Sequence, residues 1–275
     1  MKFSSFVLAT AAAAYTSAQE ITRCGTSAPP AILDASFDLT EAKFALNRND
    51  SRTVETYAHV VTTQQKEGVY MQTNVNGQIA AMNSAYGPSG FSFSLVSTTF
   101  TVNDAWAAAG QGSSAELAMK RKLHKGSYDT LNLYFLSDLG GGLLGFCYFP
   151  EEAPTANEKI LDGCVNLAGS MPSVGELPNY DLGLTTVHET GHWLGLYHVF
   201  QGNSCTGKGD YISDTPAQRS ATSGCPAKAD TCPGVRGLDS IHNYMDYSYD
   251  SCMTGFTAKQ GARMFSIFDK YRSGK

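Results

Sequence analysis

The spacing of apolar positions divides the chain into stretches of different character. The first 18 residues, MKFSSFVLATAAAAYTSA, carry one positive charge at Lys2, an apolar run from Phe6 to Ala14 and small residues at Thr16 and Ala18. A membrane span needs about 20 apolar residues, so this shorter run reads as a secretory signal peptide over residues 1–18. Residues 19–52 are polar and rich in turn formers. They hold Pro29-Pro30 and one short helical piece, with Ala42, Phe44, Ala45 and Leu46 behind an Asp38 or Thr40 cap. This stretch is read as a pro-segment or an N-terminal arm, the alternative being that it is simply the first part of the fold.

From Thr53 the periodicities strengthen. TVETYAHVVTT is a β-branched strand pattern, and VYMQTNVNGQIAAMNSAYG places Val75, Ile79, Met82 and Tyr86 at helical spacing before the stop at Gly87-Pro88. FSFSLVSTTFTV alternates strictly and predicts a strand. SSAELAMKRKLHKG predicts a short amphipathic helix, capped by Ser113 or Ser114 and closed by Gly126. DTLNLYFLSDL alternates again, and the Gly-rich GGGLLGFCYFP predicts a further edge strand. The order β, α, β, α, β implies an α/β (α+β) fold, a twisted mixed sheet with helices packed on it. Beyond Phe200 the periodicity fades into Gly, Ser, Thr, Pro and Asp with four of the seven cysteines, which predicts an irregular, cross-linked C-terminal part. The division expected is one main domain over 53–275, its sheet-and-helix part running to about 195 and its irregular part over 196–275.

Composition narrows the function classes. The formal balance is 20 basic against 25 acidic residues, a net charge of -5. With no basic face beyond Lys120 to Lys125, nucleic acid is an unfavourable partner. No later stretch is apolar enough to span a membrane, so a secreted, extracellular monomer is expected. Asn49-Asp50-Ser51 is a glycosylation sequon.

Residues 188–198 read HETGHWLGLYH. On a helix His188 and His192 lie four residues, about 400°, apart, so both imidazoles leave one face. Glu189 sits about 100° round from His188, where it can reach a water without being a ligand. On a continued helix His198 would point away, about 9 Å further along the axis. Gly195 resolves this by taking positive φ and letting the chain turn back. Three neutral imidazoles with one position left over form an open zinc site of the catalytic kind. The pattern His-Glu-x-x-His-x-x-Gly-x-x-His has a chance of roughly 1 in 100,000 of arising in a chain of this composition. His59, His124 and His242 lie outside the motif, and His242 is read as structural.

These eleven residues resemble the elongated zinc motif of the metzincin peptidases, and Asn243-Tyr244-Met245-Asp246-Tyr247 is similar to their Met-turn. HETGHWLGLYHVFQG, GDYISDTP, IHNYMDYSYDSCM and the early RCGT together resemble the pappalysin family. The resemblance implies a secreted zinc-dependent endopeptidase with Glu189 as general base and Tyr247 assisting the tetrahedral intermediate. Met245 would lie beneath the metal as a hydrophobic base. Gly140 to Tyr148 would be the edge strand on which substrate backbone pairs. KGDYISDTP would be a calcium loop with Asp214 and Thr215 as oxygen donors, a simple turn being the alternative. Some family members prefer basic residues through an acidic residue just before the cysteine that follows the Met-turn. Ser251 stands at that place here, with Asp250 one earlier, so the preference is not carried over. The alternatives kept open are a zinc-binding scaffold without turnover and a zinc amidohydrolase acting on small amides.

The cysteines complete the picture. Cys147 and Cys164, 17 apart, could close the loop beyond the edge strand, and the family pattern implies Cys205 with Cys232 and Cys225 with Cys252. Cys24 is left over. It lies in the removable segment, and a thiolate is a good zinc ligand. It is therefore expected to act as a cysteine switch, filling the fourth metal position in a latent form.

Overall fold

The computed structural model describes residues 21–27, Leu33 and residues 51–275; the signal peptide, the helical piece around Ala42 to Leu46 and the Asn49 sequon lie outside the described residues. A five-stranded sheet has the order β2-β1-β3-β5-β4. Its strands are β1 (Arg52–Thr62), β2 (Phe91–Val102), β3 (Leu131–Leu136), β4 (Gly145–Cys147) and β5 (Cys164–Leu167). All neighbours run parallel except β4, which pairs antiparallel with β5 through the register Cys147↔Cys164. The helices are α1 (Gln72–Tyr86), α2 (Asp104–Ala107), α3 (Ser114–Leu123), α4 (Ala156–Leu161), α5 (Leu184–Trp193) and α6 (Ala258–Ile267).

Local chemistry sets several of these bounds. The Ser113 hydroxyl accepts from the Glu116 N–H and starts α3, while Thr155 with Glu158 forms a capping box at α4. The expected apolar face of α1 is observed, with Val75, Ile79, Met82 and Tyr86 all buried. Helices cover both faces of the sheet. Val54, Ala58, Leu133 and Phe135 pack with α1, α5 and α6 on one side. Val61, Tyr134, Leu136, Phe146 and Val165 pack with Met119 and Leu123 of α3 on the other.

The strand expected in DTLNLYFLSDL is β3, and all six of its residues are buried, as befits a central parallel strand covered on both faces. One reading needs correction. The C-terminal part is irregular only as far as Phe256. Thr257 then opens α6 with a capping box to Gln260, and Met264, Phe265 and Ile267 enter the core. Arg263 and Gln260 are buried too, which hides the helix from a simple polar-apolar count. The chain end is fastened by Arg272, which donates to Asp162 (2.8 and 3.0 Å) and to the Trp193 carbonyl (2.9 Å) at the end of α5.

Disulfides join Cys147–Cys164, Cys205–Cys232 and Cys225–Cys252, and Cys24 is free and buried. The first ties β4 to β5; the others staple the long loops between α5 and α6. No helix among the described residues is long and apolar enough to cross a membrane.

Candidate metal centre and active site

Helix α5 carries His188 and His192 on one face and Glu189 beside them, all three buried. It ends at Trp193, and two residues on Gly195, with a φ of 87°, lets the Leu196 N–H reach back to the Gly191 carbonyl (2.8 Å). The reversal brings His198 to the other two rings. His192 Nε2 lies 3.2 Å from His188 Nε2 and 3.1 Å from His198 Nε2. His188 Nδ1 donates to the Tyr244 carbonyl (2.7 Å) and His192 Nδ1 to the Leu196 carbonyl (2.8 Å). Because carbonyls only accept, both Nδ1 atoms carry the proton and both Nε2 atoms present bare lone pairs. Facing lone pairs repel unless a cation lies between them. Two nitrogens at about 2.0–2.1 Å from a tetrahedral zinc would sit about 3.3–3.4 Å apart, close to the separations here. The donor set fits the metal.

Cys24 completes the cluster. Its sulfur is 3.5 Å from His192 Nε2, and the ligand atoms of Cys24, His188, His192 and His198 all lie within 4.8 Å of one another. Burial holds all three imidazoles below the ordinary histidine range, His192 at about 4, and for His188 and His198 neighbouring rings add to the effect. Neutral rings are what a metal requires. Burial pushes the Glu189 carboxyl up to about 8, against hydrogen bonds from Thr26 and Cys24 that lower it. Its Oε1 has no hydrogen-bond partner among the described residues.

Met245 is fully buried. It approaches α5 so closely that a Cβ on Gly191 would overlap its sulfur, which explains the glycine inside the motif. Tyr247 directs its hydroxyl to His198 Nε2 (3.2 Å) and to the Cys24 carbonyl (3.4 Å). Burial, with Cys24 and Glu189 nearby, raises the phenol well above its usual range and keeps it a donor. His242 Nδ1 donates to the Cys252 carbonyl (2.6 Å).

Residues 22–26 lie across this centre along β4. Thr22 N–H donates to the Gly142 carbonyl (2.9 Å), Leu144 N–H to the Thr22 carbonyl (2.9 Å) and Gly25 N–H to the Gly145 carbonyl (2.8 Å). Two side chains that sequence reasoning passed over do as much as Cys24. The Arg23 guanidinium donates to Asp250 Oδ1 (2.7 Å) and to the Ser248 carbonyl (2.9 Å), buried at both ends. Asp250 Oδ2 accepts from the N–H groups of Leu182 and Leu184 (3.0 and 3.4 Å). The Thr26 hydroxyl donates to Glu189 Oε2 (2.7 Å). The only sequence signal was the RCGT string itself.

The expected calcium donors do not converge. Asp214 accepts from the Thr257 hydroxyl (2.7 Å) and the Lys259 N–H (3.0 Å) at the start of α6. Thr215 instead faces Asp210, donating to its Oδ1 (2.7 Å) and to the Ile212 carbonyl (2.7 Å).

A parallel sheet with one antiparallel edge strand, a helix whose two histidines meet a third beyond a glycine turn, and a buried methionine packed against that helix define a metzincin-type metalloprotease. Comparison with known proteins agrees. Residues 120–269 match the family model described as pregnancy-associated plasma protein-A, a peptidase family. The chain is 48% identical to an extracellular metalloprotease of Pyricularia oryzae, over 92% of this chain and 90% of the relative. It is 49% identical to extracellular metalloprotease 1 of Coccidioides posadasii, over 92% and 91%. Among solved structures it resembles a promirolysin mutant of Tannerella forsythia (TM-score 0.71, 26% identity, 87% of this chain and 86% of that one). It also resembles mature mirolysin with a cleaved peptide (TM-score 0.67, 28% identity, 80% and 92%). The chain belongs to the pregnancy-associated plasma protein-A peptidase family and is a zinc metalloprotease acting on peptides or proteins.

Proposed function

We propose that this protein is a secreted endopeptidase in which Glu189 moves the protons of hydrolysis, and that residues 22–26 hold it latent until they are removed. The observation that carries the reading is the buried Glu189 carboxyl beside three imidazoles whose bare nitrogens converge. Extracellular location is supported by the three disulfides, which persist in oxidising surroundings, and by the relatives named extracellular metalloproteases.

His188, His192 and His198 would hold zinc, which when bound supplies the Lewis acidity that acidifies water and polarises a peptide carbonyl. Glu189, buried beside the three imidazoles, takes the proton of the attacking water and returns it to the leaving amine. Tyr247, kept protonated, donates to the oxygen on which charge develops. Backbone groups of β4 and of the Gly140–Leu144 stretch, satisfied here by residues 22–25, receive an extended substrate without regard to its side chains.

The Asp250 pocket supplies a side-chain preference. Arg23 immediately precedes the cysteine at the metal centre, so a substrate side chain in its place would lie next to the scissile bond. We therefore assign a basic preference to Asp250, one position before the Ser251 from which sequence counting had discounted it. The loop from Asp210 to Thr215 would hold calcium through Asp210 Oδ2, which is buried without a hydrogen-bond partner among the described residues, together with the Ile212 carbonyl and the Thr215 hydroxyl.

The test of the catalytic reading uses processed protein, zinc content by elemental analysis and hydrolysis of casein. Glu189→Ala is expected to keep its zinc and lose at least about 100-fold in rate. His192→Ala is expected to lose both. Equal activity of Glu189→Ala and wild type would sink the peptidase mechanism.

A further inference from the structure

We infer that Thr26 is a second latch of the uncleaved chain, acting through its hydroxyl on Glu189 and on strand β4 rather than on the metal. The inference rests on the latency reading above and extends it from the sulfur of Cys24 to a separate group with a separate target.

The geometry is complete at Thr26 Oγ1. The hydroxyl donates to Glu189 Oε2 at 2.7 Å and accepts from the Cys147 N–H at 2.9 Å. One oxygen thus joins the carboxylate that would move the proton to the end of the edge strand that would receive substrate. Both groups must be released before hydrolysis: Glu189 to meet water, and the Cys147 N–H to meet an incoming backbone. The Thr26 main chain serves Cys24 independently, since its N–H donates to the Cys24 sulfur at 3.3 Å. Side chain and main chain of one residue therefore hold two parts of the machinery, and they can be separated by substitution.

The spacing of the segment makes the arrangement self-consistent. Gly25 N–H is paired to the Gly145 carbonyl (2.8 Å), which carries the chain past Glu189 and leaves Thr26 over the carboxylate. Losing the Cys24 sulfur alone leaves the Thr26 and Arg23 contacts in place. A Cys24→Ala chain should accordingly retain part of its latency.

The experiment compares uncleaved wild type, Cys24→Ala, Thr26→Val, Thr26→Ser and Cys24→Ala/Thr26→Val. Each is checked by intact mass to confirm that residues 19–52 are attached, then assayed on a fluorogenic peptide. Valine keeps the shape and the N–H to sulfur but removes the hydroxyl; serine restores it. The double variant is expected to exceed Cys24→Ala by about tenfold or more, the scale of one hydrogen bond to a charged group. Thr26→Ser should match wild type, and the Cys147 amide should exchange hydrogen faster in Thr26→Val but not in Thr26→Ser. Equal activity of Cys24→Ala and the double variant, with unchanged Cys147 exchange, would overturn the role of Thr26 while leaving the cysteine latch intact. Uncleaved wild type as active as the processed enzyme would instead overturn the latency reading itself.

Discussion

Asp250 and Ser251 show how finely a single position decides chemistry. Counting back from Cys252 selects Ser251, whose hydroxyl offers no charge, but the backbone turns Asp250 inward to meet Arg23 at 2.7 Å. A buried carboxylate stripped of its cation is costly, so once residues 22–26 leave, a substrate Lys or Arg relieves that cost. In the processed enzyme, Asp250→Asn is expected to lower kcat/KM about ten- to hundredfold on a peptide with Arg beside the scissile bond. A matched peptide with Leu there should change little. Equal losses on both peptides would remove Asp250 as the selecting group. Glu189 and the three histidines, in contrast, were legible from spacing, because a helix turns by a known angle and their chemistry depends on sharing a face.

Helix α5 and the chain around Met245 form one mechanical unit at the next scale. Gly191 allows the sulfur to sit against the helix backbone. Alanine favours an isolated helix over glycine by about 1 kcal/mol, but here its methyl must displace Met245, an overpacking cost of about 1–3 kcal/mol. Gly191→Ala should therefore lower the melting temperature; a rise would show that propensity outweighs the contact. The loop before α6 gives another element-scale test. Burial pushes the Asp210 carboxyl up to about 7, and a cation beside it would favour the charged form. Added calcium is expected to raise the melting temperature of wild type and not of Asp210→Asn. No calcium-dependent shift in wild type would discard the site. Helix α6 itself escaped the sequence pattern because Gln260 and Arg263 are buried on its inner face, Gln260 in mutual hydrogen bonds with Asn243 and Arg263 on the Gly195 and Asp210 carbonyls.

At the scale of the whole molecule, one histidine ties together three of the five strands. His59 of β1 reaches Thr99 of β2 through Nδ1 (2.9 Å) and Asn132 of β3 through Nε2 (3.0 Å). Asn132 Oδ1 also accepts from the Lys125 N–H, so it is an acceptor and His59 Nε2 carries the proton. Burial lowers this imidazole to about 4 from an unfolded value of about 6.5. Between those values the unfolded chain binds the extra proton, so stability is full above about pH 6.5 and falls as the pH drops towards 4. The loss from this group is about 3 kcal/mol at most. Denaturant unfolding at pH 7 and pH 4.5 should show a smaller acid loss for His59→Gln than for wild type. Equal losses would place acid sensitivity elsewhere.

The sequence by itself determined what depends on local geometry: strands β1 to β4, helices α1, α3 and α5, and the pairing of His188 with His192 through helical rotation, while β5 and the short helices α2 and α4 escaped it. It also determined the return of His198 through a glycine that tolerates positive φ. Only the tertiary structure decided what depends on distant segments meeting. It buried both faces of β3 under helices, put Asp210 opposite Thr215, and brought Arg23 to Asp250 and Thr26 to Glu189. Those contacts join positions more than 150 residues apart in the chain for the last two pairs. No periodicity spans such a separation, because the register between them is set by the edge of a folded sheet.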